Sequence, residues 1–184
     1  MKKKITIKQM IITIIVVGLL SLIPYIITKD FSKKTVISKN ETFKIGNLKY
    51  DIPAKFETYN NSNEKDYKYY SYGENDAYCY IELTKVNNKS ELYKDAEDYL
   101  KKSIYFTLND EVETNTDNDW FTITVKGKDK ITIEIASAIT DNNTIYELRY
   151  RFDDYSRGEN QEDESYKKCS KAYDYVFKSI KIEK

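Results

Sequence analysis

WFTITVKGKDKITIEIASAITDNNTIYELRYRF, Trp120–Phe152, is the stretch whose reading decides the fold. Its apolar residues recur at every second position, the period of a strand with one face toward a core. Phe121, Ile123 and Val125 share one face of a first strand, Trp120–Lys126. Gly127-Lys128-Asp129 turns the chain into Ile131–Thr140, where Ile131, Ile133, Ile135 and Ser137 alternate with Thr132, Glu134 and Ala136. Asp141-Asn142-Asn143 turns it again into Thr144–Phe152. There Tyr146, Leu148, Tyr150 and Phe152 form the expected buried set, opposite Ile145, Glu147, Arg149 and Arg151. Turns this short join antiparallel neighbours. A weaker strand, Val112–Thr116, precedes the run, and a charged loop, 153–163, follows it.

Outward from this core the period changes. Cys169, Ala172, Tyr173, Val176 and Ile180 form an apolar stripe at helical spacing, which predicts a last helix from Glu164 to about Ser179. Upstream, Leu92, Ala96, Tyr99, Leu100 and Ser103 predict a helix opening at 87–90 and running to about Tyr105, with Asn88 or Ser90 as its cap. Before it lies a hairpin: Tyr67–Tyr72, a turn at Gly73-Glu74-Asn75-Asp76, and a return strand Ala77–Val86 whose Ala77, Cys79, Ile81 and Leu83 face the core. Residues 57–66 read as a polar loop. Phe43 and Ile45, the turn at Gly46-Asn47, and Leu48, Tyr50 and Ile52 read as an opening hairpin, ended by Pro53. The expected fold class is α+β, an antiparallel sheet with two main helices packed on it.

The N-terminus has a different character. Met10–Ile27 holds eighteen uncharged residues, MIITIIVVGLLSLIPYII. As a helix they would span roughly 27 Å, close to the hydrocarbon thickness of a bilayer. Lys2, Lys3, Lys4 and Lys8 precede them, which orients the N-terminus to the cytoplasm and the remainder outside. A cleaved signal peptide also begins this way, but the exit YIITKDFSKK has no Ala-x-Ala-like site, and no cysteine follows for a lipid anchor. Residues 1–28 are therefore expected to be an N-terminal transmembrane helix and uncleaved anchor, 29–41 a tether, and 42–184 an extracytoplasmic domain in a cell membrane.

Composition narrows the chemistry. The chain is formally neutral, with 30 basic and 30 acidic residues. Residues 1–34 hold seven lysines and one aspartate, so the rest carries 23 basic against 29 acidic side chains, about −6. That argues against nucleic acid as a partner, which selects a basic face. The chain has no histidine, which removes Ser-His-Asp and Cys-His nucleophile pairs and His-ligated zinc. No cofactor and no metal site are expected. Abundant Lys, Asn, Ile and Tyr fit AT-rich codons, as in a low-GC Gram-positive bacterium.

Two short segments carry a resemblance. The opening hairpin ends in Ile52-Pro53-Ala54-Lys55-Phe56, and the last helix closes with Phe177-Lys178-Ser179-Ile180-Lys181-Ile182. With a helix in mid-chain and antiparallel strands after it, residues 42–183 resemble the PsbP-like α/β/α sandwich superfamily. That superfamily includes bacterial surface lipoproteins, membrane-anchored proteins, a photosystem subunit and a Ran-binding protein. The resemblance implies a non-enzymatic binding or assembly-support role and transfers no functional residues.

Few residues stand out as sites. Cys79 and Cys169 lie on core-facing positions, where a disulfide outside the cytoplasm and two separate buried thiols are both open readings. Tyr67, Tyr69, Tyr70, Tyr72, Tyr78 and Tyr80 crowd one hairpin, as an aromatic ligand platform or as ordinary strand tyrosines. Asn115–Asp119 lacks the glycine and the closing glutamate of a calcium loop and reads as a turn. Asp153-Asp154 and Glu162-Asp163-Glu164 read as solvated charge. The expected function is a membrane-tethered extracytoplasmic non-catalytic module that binds an envelope protein or supports an envelope assembly. The alternative is a cell-wall glycan or small-ligand binding protein using exposed tyrosines.

Overall fold

The strand Thr144–Asp154 is the one on which the sheet is built: it pairs along its length with Ala77–Asn87 on one side and Thr132–Asp141 on the other. The computed structural model describes residues 34–59, 65–74, 77–104, 110–127, 132–154 and 164–183. In chain order its elements are β1 (Lys34–Val36), β2 (Glu41–Ile45), β3 (Leu48–Ile52), β4 (Glu57–Tyr59), β5 (Tyr67–Glu74), β6 (Ala77–Asn87) and α1 (Ala96–Ser103). They continue with β7 (Glu111–Asp117), β8 (Trp120–Lys126), β9 (Thr132–Asp141), β10 (Thr144–Asp154), α2 (Glu164–Ser179) and β11 (Lys181–Ile182). Eight strands form one antiparallel sheet in the order β1-β4-β5-β6-β10-β9-β8-β7. Three more form a second sheet, β11-β3-β2.

Both faces of the large sheet carry apolar side chains. On one face Tyr146, Leu148, Tyr150 and Phe152 of β10 join Cys79, Ile81 and Leu83 of β6 and Tyr70 of β5. This set packs against Cys169, Tyr173 and Val176 of α2 and against Ile45, Leu48, Tyr50 and Ile52 of the small sheet. On the other face Ile145, Ala136, Ala138, Ile123 and Val125 meet Ala96, Tyr99 and Leu100 of α1. The small sheet is locked on by polar contacts as well. Gly46 takes a left-handed φ of 58° at the β2–β3 turn, and a Cβ there would lie 2.7 Å from the Tyr146 hydroxyl. That same hydroxyl accepts a hydrogen bond from the Asn47 N–H at 3.0 Å. The Asp51 N–H donates to Ser179 Oγ at 2.9 Å, so the two segments ending in Phe56 and Ile182 meet where β11 closes onto β3.

The expected α+β class, an antiparallel sheet with two main helices packed on it, is corrected by these elements. Among the described residues the molecule is mostly antiparallel sheet, and one of the two helices there is only eight residues long. Part of the reason lies in the polar segments. Glu57–Tyr59 was expected as loop, yet it pairs with β5 and takes β1 on its other side. The expected helix over 87–105 is cut short from its front. The Asn88 side chain holds the Tyr93 backbone through both its atoms, at 2.6 and 3.1 Å, and Glu91 adopts a φ of 52°, which no helix accommodates. Asp95 is the true cap, its carboxylate accepting from the Asp98 N–H at 2.9 Å. Among the described residues no helix is long and apolar enough to cross a membrane. The anchor expected at 1–28 lies outside the described residues.

Candidate functional site: a tyrosine-lined trough

The β5–β6 hairpin sorts its six tyrosines by register. Tyr67 faces Thr84, Tyr69 faces Glu82, Ser71 faces Tyr80 and Gly73 faces Tyr78, all on one side of the sheet. Tyr70 and Tyr72, opposite Ile81 and Cys79, turn to the other side. Tyr70 is buried, with its hydroxyl 2.9 Å from that of Tyr50. Tyr72 packs against Phe56, ring centroids 5.7 Å apart. Six aromatic residues crowded in sequence thus divide into four on the outer face and two turned inward.

Three of the outer four border a concavity of about 420 Å³, walled by Tyr69, Tyr78, Tyr80, Ser71 and Gly73 with Lys34, Lys55, Glu57 and Tyr72 at its edge. Tyr69 and Tyr80 lie 5.9 Å apart, tilted by 31°. Tyr78 is 39% exposed. Its ring lies directly against the β5 backbone, and a Cβ at Gly73 would stand 2.6 Å from it. Only glycine lets the ring rest there. Lys34 and Glu57 form an ion pair at 2.9 Å that ties the outer strands β1 and β4.

Beyond the trough, the same face carries a charged network centred on Arg149. Its Nη2 lies 2.7 Å from Glu147 Oε1, and its Nε lies 3.6 Å from Glu134. The Tyr99 hydroxyl donates to the other Glu147 oxygen at 2.6 Å, which fastens α1 to the sheet. Tyr67 hydrogen-bonds Glu82; burial first, then the Glu82 charge, push the Tyr67 hydroxyl up to about 12. Burial raises the Glu82 carboxyl above its ordinary value, against the opposing pull of Arg149. These carboxylates are engaged by arginine or tyrosine.

The other singled-out residues fall elsewhere. Cys79 and Cys169 form a disulfide with Cα atoms 5.9 Å apart, joining β6 to α2. Asn115–Asp119 is the end of β7 and its turn into β8, with Asn118 and Asp119 at φ 48° and 69°. Asp153 pairs with Arg151 at 3.0 Å and accepts from the Thr132 hydroxyl, and Glu164 opens α2. Glu162 and Asp163 lie outside the described residues. Among the described residues no three His, Cys, Asp or Glu side chains converge as a metal site. Sequence reasoning missed Ser71, Gly73, Lys34, Lys55 and Glu57. The turn was expected to begin at Gly73, whereas β5 runs on to Glu74; continuing the alternation two residues further would have set Gly73 beneath Tyr78. No family model matches the chain, and no curated protein matches it either.

Proposed function

We propose that this protein is a non-catalytic binding module, held at the outer face of a cell membrane by its apolar N-terminal stretch, that takes a glycan along the tyrosine trough. The observation that carries this reading is the trough itself: Tyr69, Tyr78 and Tyr80 around a polar-floored concavity, with Gly73 making room for one ring. An aromatic ring is negative on its face, and the C–H side of a pyranose is apolar and slightly positive, so the two stack. Tyrosine and serine hydroxyls answer the sugar hydroxyls at the rim. The acidic balance of the chain beyond residue 34 speaks against a nucleic-acid strand, the other polymer that stacks on tyrosine.

The test is calorimetric titration of the full-length chain in lipid nanodiscs with chitotetraose, an N-acetylglucosamine oligomer. Saturable binding that weakens about tenfold or more in Tyr78→Ala and Tyr80→Ala is expected, since stacking is worth on the order of 1–3 kcal/mol per ring in comparable sites. No saturable binding, or affinity indifferent to both substitutions, overturns the glycan reading.

A second reading has one observation behind it. β7 is an edge strand of the large sheet, and all its residues are exposed. Such an edge accepts an added strand from another protein. Stoichiometric capture of one envelope protein by cross-linking at Glu113 would favour that partner-binding role.

A further inference from the structure

We infer that the strand taken by β7 is basic: an extended segment of a partner protein with lysine or arginine at alternate positions and β-branched residues between them. This rests on the reading of β7 as a partner-binding edge and names the chemistry of the partner. The two margins of the large sheet differ. β1 has three residues, and its Lys34 is held by Glu57. β7 runs for seven residues, each paired in turn with β8 from Glu111↔Lys126 to Asp117↔Trp120. It has no bulge, proline or lysine to blunt it. Every second residue of an antiparallel strand points its N–H and C=O away from its neighbour, and all seven residues of β7 are exposed.

Residues directly opposite one another in the pairing share a face of the sheet. Val112, Thr114 and Thr116 therefore lie on the side of Val125, Ile123 and Phe121, the face that carries α1. Glu111, Glu113, Asn115 and Asp117 lie on the other side, with Trp120. One side of the edge is thus β-branched, and the other bears three carboxylates and no cation of its own. Lys126 of β8 reaches Glu113 at 3.2 Å. Glu111 and Asp117 make no ion pair among the described residues. This pattern disfavours a second copy. Two β7 strands paired antiparallel about Thr114 would set Glu111 opposite Asp117 twice, and about Glu113 they would set that carboxylate opposite itself. Like charges opposite one another destabilise a strand pair and unlike charges stabilise it. Alternate lysines on an incoming strand turn each repulsion into an attraction. Its intervening β-branched side chains meet the two threonines and Val112, which is 39% exposed.

The probe is a fluorescein-labelled peptide, Lys-Thr-Asn-Thr-Lys-Val-Lys, followed by fluorescence anisotropy on the full-length chain in phosphatidylcholine nanodiscs, with empty nanodiscs as blank. The comparison is Glu-Val-Glu-Thr-Asn-Thr-Asp, the sequence of β7 itself. The lysine peptide should bind saturably and the acidic one about tenfold more weakly. Two further lysine peptides are N-methylated at alternate amides, one at odd and one at even positions. One should bind and the other should not, because only one set of amides faces β7. The double variant Glu111→Lys, Asp117→Lys changes exposed side chains only and should reverse the preference between the lysine and acidic peptides. Equal binding of the two methylated peptides, an unaltered preference in the double variant, or no saturable binding of the lysine peptide each overturns the inference. Equal or tighter binding of the acidic peptide overturns it in favour of a second copy. An envelope protein captured at Glu113 through a segment without basic residues overturns the basic partner and leaves the partner-binding edge standing; failure of both peptides with no capture at Glu113 removes both.

Discussion

A buried tyrosine hydroxyl with a partner and one without should answer differently to removal. Tyr70 and Tyr50 share a hydrogen bond between the two sheets. Tyr150 is as deeply buried, yet its hydroxyl has no partner among the described residues. Tyr70→Phe strands the Tyr50 hydroxyl and should cost on the order of 1–3 kcal/mol. Tyr150→Phe removes a desolvated group that gains nothing in return, and should be neutral or stabilising. The urea midpoints of the two variants give the comparison directly; equal losses would mean that the Tyr150 hydroxyl is satisfied. At this scale the sequence was half legible. Alternation in Thr144–Phe152 correctly buried Tyr146, Leu148, Tyr150 and Phe152. It carried no information on which hydroxyls find partners, because Tyr50 and Tyr70 meet only when two separate sheets pack.

Among the elements, α1 is the one whose start the sequence misplaced. Its cap is Asp95, seven positions after Asn88 and five after Ser90. Asp95→Ala should lower stability by about 1 kcal/mol, whereas Ser90→Ala should do almost nothing, as thermal unfolding will report. Three potential caps in one polar stretch look alike in sequence; what separates them is that the Asn88 side chain is spent on the Tyr93 backbone. Leu92, counted in the expected stripe, is 66% exposed for the same reason. The last helix was fully legible from Glu164 to Ser179, since its stripe faces one core. β1 and β4 were not, because short polar edge strands have no apolar alternation to read. The trough was legible as a tyrosine-rich hairpin, but its outer wall comes from those edge strands.

Five tyrosines of the core, Tyr50, Tyr70, Tyr99, Tyr150 and Tyr173, set the response of the whole molecule to alkali. Burial holds the hydroxyls of Tyr70 and Tyr173 up to about 12, and it raises Tyr50, Tyr99 and Tyr150 further. Below the ordinary value near 10 both folded and unfolded chains are neutral at these positions, so stability is unaffected. Above it the unfolded chain releases protons that the folded chain keeps, and stability falls by up to about 1.4 kcal/mol per pH unit for each tyrosine. Five together exceed the usual 5–15 kcal/mol of a domain within about one to three pH units. The tyrosinate absorbance of these five should therefore rise in one cooperative step that coincides with loss of near-ultraviolet circular dichroism; their independent titration near 10 in a folded protein would contradict the burial described. The division into a large and a small sheet could not be read beforehand, because hairpin signals specify neighbours in sequence and say little about which sheet a hairpin joins. Finally, the Cys79–Cys169 bridge spans 90 positions, and it governs how the chain bears force. Under tension applied between its two ends, about 300 Å of contour length within the loop is withheld from extension. Only the segments outside the bridge can lengthen, beginning with β1, three residues at the margin of the sheet. The bridge is a mechanical stop: slack is released at the margin, and the strands from β7 to β10 carry no load along their backbone while the S–S bond holds.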